Sequence, residues 1–371
     1  CLDISAGSLY LSQYCHRWHI KVLAVDENRT VVTTCPPVYP RVNTMNSRII
    51  VGHILALLIL FTFTACDSTG TDNASGQTAQ ESQPAETVAE PKQEPAVEAD
   101  TETEADKEVI AYGRFVSERE DDFTWENDKV AFRIYGPSSN GKGQVSGVDA
   151  WLKKVPYSII DKWYAEHLSG TSYHEDQGEG YDPFHVGDSR GVGGTAVWVD
   201  GVAWPAGKYE TYEVHESGND VVSFTVTYSW DTPLGEVAEN KTVSLRLGDQ
   251  LYHVSSVFTL DGEPAKLPIA IGLTTHDEKA QVSGNAELGR ISTSEAIDEI
   301  GIWTGALLNP ARVIDVVHVP SEEKDASHIW LLTTTSETGD LGFRAGFAWE
   351  AAGEITSFEA WNEYLDSRAG Q

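Results

Sequence analysis

The chain has 371 residues, with 57 acidic against 26 basic side chains and a formal net charge of −31. That imbalance argues against nucleic acid as a partner and predicts a strongly solvated surface. Four cysteines in the whole chain exclude a disulfide-dense scaffold, and the length allows one large domain beyond any targeting segment.

Residues 1–44 hold three of the four cysteines and show no apolar period. They precede Met45, the single methionine, which is followed at once by Asn46-Ser47-Arg48 and an apolar run from Ile49 to Thr64. Translation is expected to start at Met45, so residues 1–44 read as an upstream extension outside the folded protein. The run is shorter than the ~20 residues a membrane-spanning helix needs. It ends at Phe63-Thr64-Ala65-Cys66 before a polar tract, which resembles a bacterial lipobox, although Phe63 stands where an aliphatic residue is usual. Residues 45–65 are thus expected to be a lipoprotein signal peptide, with Cys66 lipidated and the protein exported and anchored to a bacterial cell membrane. Residues 66–107, rich in Asp, Glu, Ser, Thr and Pro and free of aromatics, read as an acidic disordered tether.

Residues 108–371 contain no cysteine, so packing has to stabilise them. Lys129–Tyr135 reads as a strand closed by Gly136-Pro137. Ser158 is positioned to cap a helix carrying Ile159, Ile160, Trp163, Tyr164 and Leu168. Thr195–Val199 and the turn signal Asp200-Gly201 predict a hairpin. Further strands are expected at 209–215, 221–230, 242–247, 251–260, 269–274, 329–334 and 343–349. Ser357 should cap a last amphipathic helix through Phe358, Trp361, Tyr364 and Leu365. Many strands with helices only near the two ends predict a mainly β protein, a large antiparallel β-sandwich with a few peripheral helices, as one domain over 108–371.

Between the first helix and the Thr195 strand, residues 173–194 carry acids, two imidazoles, a guanidinium and several glycines with no apolar period. This predicts a long irregular loop, a common place for function. Three stretches carry a family resemblance: Trp125–Pro137; Tyr173-His174 through Gly180 with Ser189-Arg190-Gly191 and Gly193-Gly194; and Ala345–Trp349 with Trp361-Asn362 and Tyr364-Leu365. Together they resemble the domain-of-unknown-function family 4861 across residues 111–367. The resemblance implies a secreted bacterial protein of polysaccharide utilisation, a galactose-mutarotase-like supersandwich and, in some members, dehydration of terminal uronic acids on oligosaccharides. Gln177 and Val192 depart from the His and Cys expected in relatives.

Such an elimination needs carboxylate neutralisation, a base and an acid. Arg190 suits the carboxylate, since a guanidinium grips it through two parallel hydrogen bonds. His174 is the expected base and Tyr181 the expected acid, with Glu179, His185 and His215 as substrate-binding residues. Asp176, Glu179, Asp182 and His185 recur every third residue, a weak pattern for a hard divalent cation such as Ca, and a merely solvated acidic loop is the commoner reading. Glu175 and Glu179 are a weak glycosidase-type acid pair. Tyr212, Trp230, Trp303 and Trp330 are candidate sugar platforms, although strand aromatics are more often core. The expected partner is an oligosaccharide or polysaccharide, with the membrane reached only through the lipid. The alternatives are a non-catalytic carbohydrate-binding lipoprotein, and a mutarotase-like isomerase or glycoside hydrolase.

Overall fold

The computed structural model describes residues 107–139 and 145–370 in full, and residues 21–26 and 29–33 by their backbone. Cys66, the signal-like run and the tether up to residue 106 lie outside the described residues. The chain divides into two units, 1–92 and 93–371. The described part of the first is an antiparallel hairpin, Lys21–Asp26 with Arg29–Thr33. Among the described residues no helix is long and apolar enough to cross a membrane.

The second unit is mainly β, and its strand ladders are antiparallel. A nine-stranded sheet runs from one edge through Thr211–Glu216, Val221–Thr232, Gly235–Arg246, Leu251–Leu260, Asp340–Trp349, Ile300–Leu308 and Arg290–Ile297 to Gln281–Asn285, with Glu263–Pro264 paired on Leu251–Leu260. A five-stranded sheet orders Asp315–Val319, His328–Thr334, Pro268–Thr274, Val192–Val199 and Val202–Pro205. A second five-stranded sheet orders Tyr112–Val116, Asp122–Glu126, Ala131–Ile134, Asp149–Lys153 and Gly180–Tyr181. All three contribute to one apolar core. Phe123 stacks on Phe224 at 4.0 Å, Phe132 meets Phe347 at 5.3 Å, and Ile271 and Leu331 are fully buried in the same cluster.

Period-two patterning explains the large sheet. Val222, Phe224, Val226 and Tyr228 are buried while their neighbours Ser223, Thr225 and Thr227 are half-buried, so one face meets the core. The Asp200-Gly201 turn forms as expected: φ is 52° and 83°, the left-handed pair that suits the twist of a two-residue hairpin. The loop expected over 173–194 is broken by two strands. Gly180–Tyr181 pairs with Leu152 and Lys153, and the next strand starts at Val192 rather than Thr195.

Both expected helices form, at Ile160–Ser169 and Phe358–Arg368. Ser357 caps the second, accepting from the Ala360 N–H at 3.1 Å, and its Trp361 and Leu365 bury against Leu251, Trp303 and Leu307. The first helix differs from expectation at its start. Ser158 does not accept a backbone bond there; its hydroxyl donates to Glu126 at 2.5 Å, and Glu126 takes the N–H groups of Ile159 and Ile160 at 2.9 and 3.0 Å. A buried carboxylate from another sheet strand replaces the local cap.

Trp303 and Trp330 are 5% and 4% exposed, one under the C-terminal helix and the other against Ala196 and Ala270, so these two are core. Tyr212 is exposed but stacks on Phe115 at 4.7 Å, and the half-buried Trp230 donates its indole N–H to the Trp204 carbonyl.

Candidate active site

Strand register brings three chemically rich loops to one end of the first five-stranded sheet. Thr274 pairs with His328, and Leu273 with Val192. The segment before Val192, the segment after Thr274 and the segment before His328 therefore leave the sheet side by side. With Glu295, Ala296 and Ile297 of the large sheet they line a solvent-open cavity of about 380 Å³, bordered also by Pro183, His185, His276, Asp277, Lys279, Lys324 and Asp325. That is a size suited to a small ligand.

Two imidazole–carboxylate pairs stand in it. His185 Nε2 lies 2.8 Å from Asp325 Oδ1, and Asp325 Oδ2 accepts the Asp188 N–H at 3.1 Å. His276 Nδ1 lies 2.6 and 2.7 Å from the two Glu295 oxygens, while its Nε2 lies 2.6 Å from the His185 carbonyl. Burial works to lower the His276 pKa, but the hydrogen bond and charge of Glu295 outweigh it and hold the imidazolium above its usual range. Lys279 and Lys324 make no ion pair with any described residue. His276, Asp277, Glu278 and Asp325 all have positive φ, 43°, 60°, 67° and 64°. Left-handed backbone at non-glycine residues is costly and tends to persist where a site requires it.

The residues expected from the sequence are distributed among several environments. His185 lines the cavity. Tyr181 is 8% exposed and donates to Asp298 Oδ2 at 2.7 Å, next in sequence to the lining residue Ile297; burial first, then Asp298, raises its phenol pKa. Arg190 does not reach the cavity. It is 1% exposed, donating to Ser146 Oγ and to the Asp188 carbonyl, each at 3.0 Å, and burial lowers its pKa to about 10. Its backbone N–H bonds His328 Nε2 at 3.0 Å, and burial pushes that imidazole down to about 4. His215 stands on the exposed strand at the opposite edge of the large sheet, 2.7 Å from Thr225 Oγ1.

His174 is half-exposed, with Nδ1 2.7 Å from the Asp182 carbonyl, at the mouth of a buried charge cluster. There Arg133 Nη2 donates to Asp149 Oδ2 at 2.5 Å and Asp182 Oδ2 at 3.0 Å, and Arg133 and Arg119 both donate to the Tyr173 hydroxyl. Burial, reinforced by the neighbouring carboxylate and opposed by Arg133, lifts Asp149 to about 7, and burial against the pull of Arg133 and Arg119 lifts Asp182 to about 6. In the folded state these groups hold protons that ordinary carboxyls, near 3.8, release on unfolding. Their contribution is present at low pH and is lost as pH rises through about 6 to 7. Asp149→Asn cannot ionise, so its melting temperature relative to the parent is expected to rise between about pH 5 and about pH 8. Calorimetry across that range checks the sign, and a difference that falls with pH refutes it.

The four residues expected around a cation do not converge. Asp176 binds Lys154 and the N–H groups of Gly178 and Gly180; Glu179 binds Tyr157, Trp163 and Lys162; Asp182 binds Arg133; His185 binds Asp325. Among the described residues no three His, Cys, Asp or Glu side chains form a metal-holding group.

The sequence reading did not single out His276, Lys279, Glu295, Lys324 or Asp325. A faint signal exists, since His276-Asp277-Glu278-Lys279 lies one residue after an apolar strand and Lys324-Asp325 lies just before another. Only the pairing of those two strands makes the segments neighbours.

Residues 56–371 match the family model described as Domain of unknown function (DUF4861). A relative, "Uncharacterized protein P7" of Formosa agariphila, is 38% identical over 288 residues, covering 74% of this chain and 71% of that protein. Solved structures that align with the chain include a presumed aldose 1-epimerase of Klebsiella pneumoniae, at 10% identity, 70% of this chain, 88% of that chain and a TM-score of 0.33. They also include the GH36 α-galactosidase AgaB of Geobacillus stearothermophilus, at 7% identity and a TM-score of 0.32, where the match covers 64% of this chain and only 40% of that one. Likeness at this level says nothing about chemistry.

Proposed function

The chain belongs to the family described as Domain of unknown function (DUF4861), and from the cavity it carries we propose that it acts on carbohydrate, eliminating water from a terminal uronic acid of an oligosaccharide. The observation that carries this reading is a pair of lysines, Lys279 and Lys324, lining the cavity without ion-pair partners among the described residues of a chain with net charge −31. The cavity's acids are engaged: Glu295 with His276, Asp325 with His185 and the Asp188 N–H, and Asp277 with the Asp325 N–H. The two ammonium groups are thus the lining charges without a protein partner among the described residues, which suits a sugar carboxylate. Neutralising that carboxylate also makes the adjacent C5 proton easier to remove, because charge develops there in the transition state.

The test is incubation with oligosaccharides ending in a uronic acid, monitored for the ultraviolet absorbance of a new conjugated double bond and for a product lighter by one water. Binding without product supports the non-catalytic alternative, and conversion of a neutral sugar supports the isomerase or hydrolase. On the same reading the protein works outside the cytoplasm, lipidated at Cys66. Intact mass of the native membrane form checks this, and a mature protein beginning upstream of Cys66 overturns it.

A further inference from the structure

We propose that His185 and Asp325 form the proton-abstracting pair of this cavity, and that His276 is a positioning residue that holds them. The inference rests on the elimination reading above and assigns its base. Asp325 is a carboxylate whose Oδ1 faces His185 Nε2 at 2.8 Å. An ionised carboxylate only accepts, so Nε2 carries a proton, and in the neutral ring that acts as a base the lone pair is on Nδ1. The His185 side chain is 52% exposed and lines the cavity, so a ligand can approach the ring, whereas the Asp325 side chain is only 10% exposed.

The pair is held from three sides. Asp325 Oδ2 takes the Asp188 N–H, and the Asp325 N–H goes to Asp277 Oδ1 at 3.1 Å. Gly187 has φ of 52°, and a Cβ on it would sit 2.0 Å from Asp325 Oδ2 and 2.8 Å from His185 Nε2. Only glycine leaves room for the contact. His276 uses both ring nitrogens, Nδ1 on Glu295 and Nε2 on the His185 carbonyl. A ring donating twice has no lone pair to offer as a base, but it fixes the backbone that carries His185. The charged groups that line the cavity with the pair are Asp277, Lys279, Glu295, Lys324 and the His276 imidazolium.

In the reaction, the C5 proton moves to His185 Nδ1 and the electrons of the C5–H bond become the C4–C5 double bond. The C4–O bond breaks with its pair, and the hydroxyl leaves as water on taking one proton. The proton lost from C5 balances the one gained by the leaving group, so no oxidant, reductant or further reactant is required.

Turnover of His185→Ala on a uronate-ended oligosaccharide is expected to fall roughly 10²-fold or more with its melting temperature kept, the usual scale for losing a general base. Asp325→Asn and Gly187→Ala are expected to share a smaller loss in kcat, because each frees the His185 tautomer. Ring nitrogen NMR of the full chain reads that tautomer without any substrate. The expected result is Nε2–H alone for His185 in the parent, a mixture in Asp325→Asn, Gly187→Ala and His276→Asn, and a doubly protonated His276 in the parent at neutral pH. If the parent makes no unsaturated product, the elimination reading fails and the NMR result still decides the pair. If the parent is active and folded His185→Ala is near normal, the pair is wrong and the elimination reading survives. Nδ1–H for His185 in the parent overturns the assignment whatever the activity.

Discussion

Glu126→Ala is expected to destabilise the protein by about 3–5 kcal/mol, because it strips the counter-charge from a fully buried lysine. Glu126 Oε2 lies 2.6 Å from Lys153 Nζ, and both side chains are 0% exposed. The ammonium would keep the carbonyls of Asn127 and Tyr157, each at 2.8 Å, but carbonyl dipoles do not neutralise a charge. The same carboxylate also caps the first helix through Ile159 and Ile160, so the helix start is weakened as well. Glu126→Gln keeps shape and one acceptor and should lose less. A double Glu126→Gln, Lys153→Met variant should recover part of the single-alanine loss, since it leaves no unpaired charge in the core. Guanidinium unfolding followed by tryptophan fluorescence measures all three. A loss below about 1 kcal/mol for Glu126→Ala, the scale of an exposed ion pair, would show that the pair is not desolvated in solution.

Replacing Lys279 and Lys324 together by Gln should have the largest effect on activity. A hydrogen bond to a charged group contributes about 1.5–3 kcal/mol, so removing two from a bound carboxylate predicts a fall in kcat/KM of roughly 10²–10⁴-fold. Melting should be nearly unchanged, because neither lysine is ion-paired with a described residue. The parent's activity should also decline with added salt, since the cavity opens to solvent and the attraction is screened. The readouts are steady-state kinetics with a uronate-ended oligosaccharide and a thermal melt of the same sample. A double variant with full activity would remove carboxylate binding from these lysines and shift weight to a neutral sugar.

Local patterning alone determined the class of the fold. The strand expected at 221–230 announces itself by alternating apolar and polar residues, which follows directly from side chains pointing to opposite faces, and Ser357 with Trp361 and Leu365 specifies the last helix in the same local way. The motif-bearing stretches likewise pointed to the family that residues 56–371 match. Strands such as Asp122–Glu126 and Arg290–Ile297 escaped notice because their buried positions carry Asp, Thr, Glu and Ser, which are tolerated inside only once distant partners satisfy them.

The site depended on those distant partners throughout. His185 and Asp325 stand 140 positions apart, and the His276 contact to the His185 carbonyl spans 91. Arg190 and His185 lie within six positions of one another, yet one is sealed in the interior and the other opens on the cavity. Residue type and spacing showed which stretch held reactive groups. Which of those groups meet a ligand was decided by the antiparallel pairing of Thr274 with His328 and Leu273 with Val192, because register over long separations sets which loop ends share one edge of a sheet.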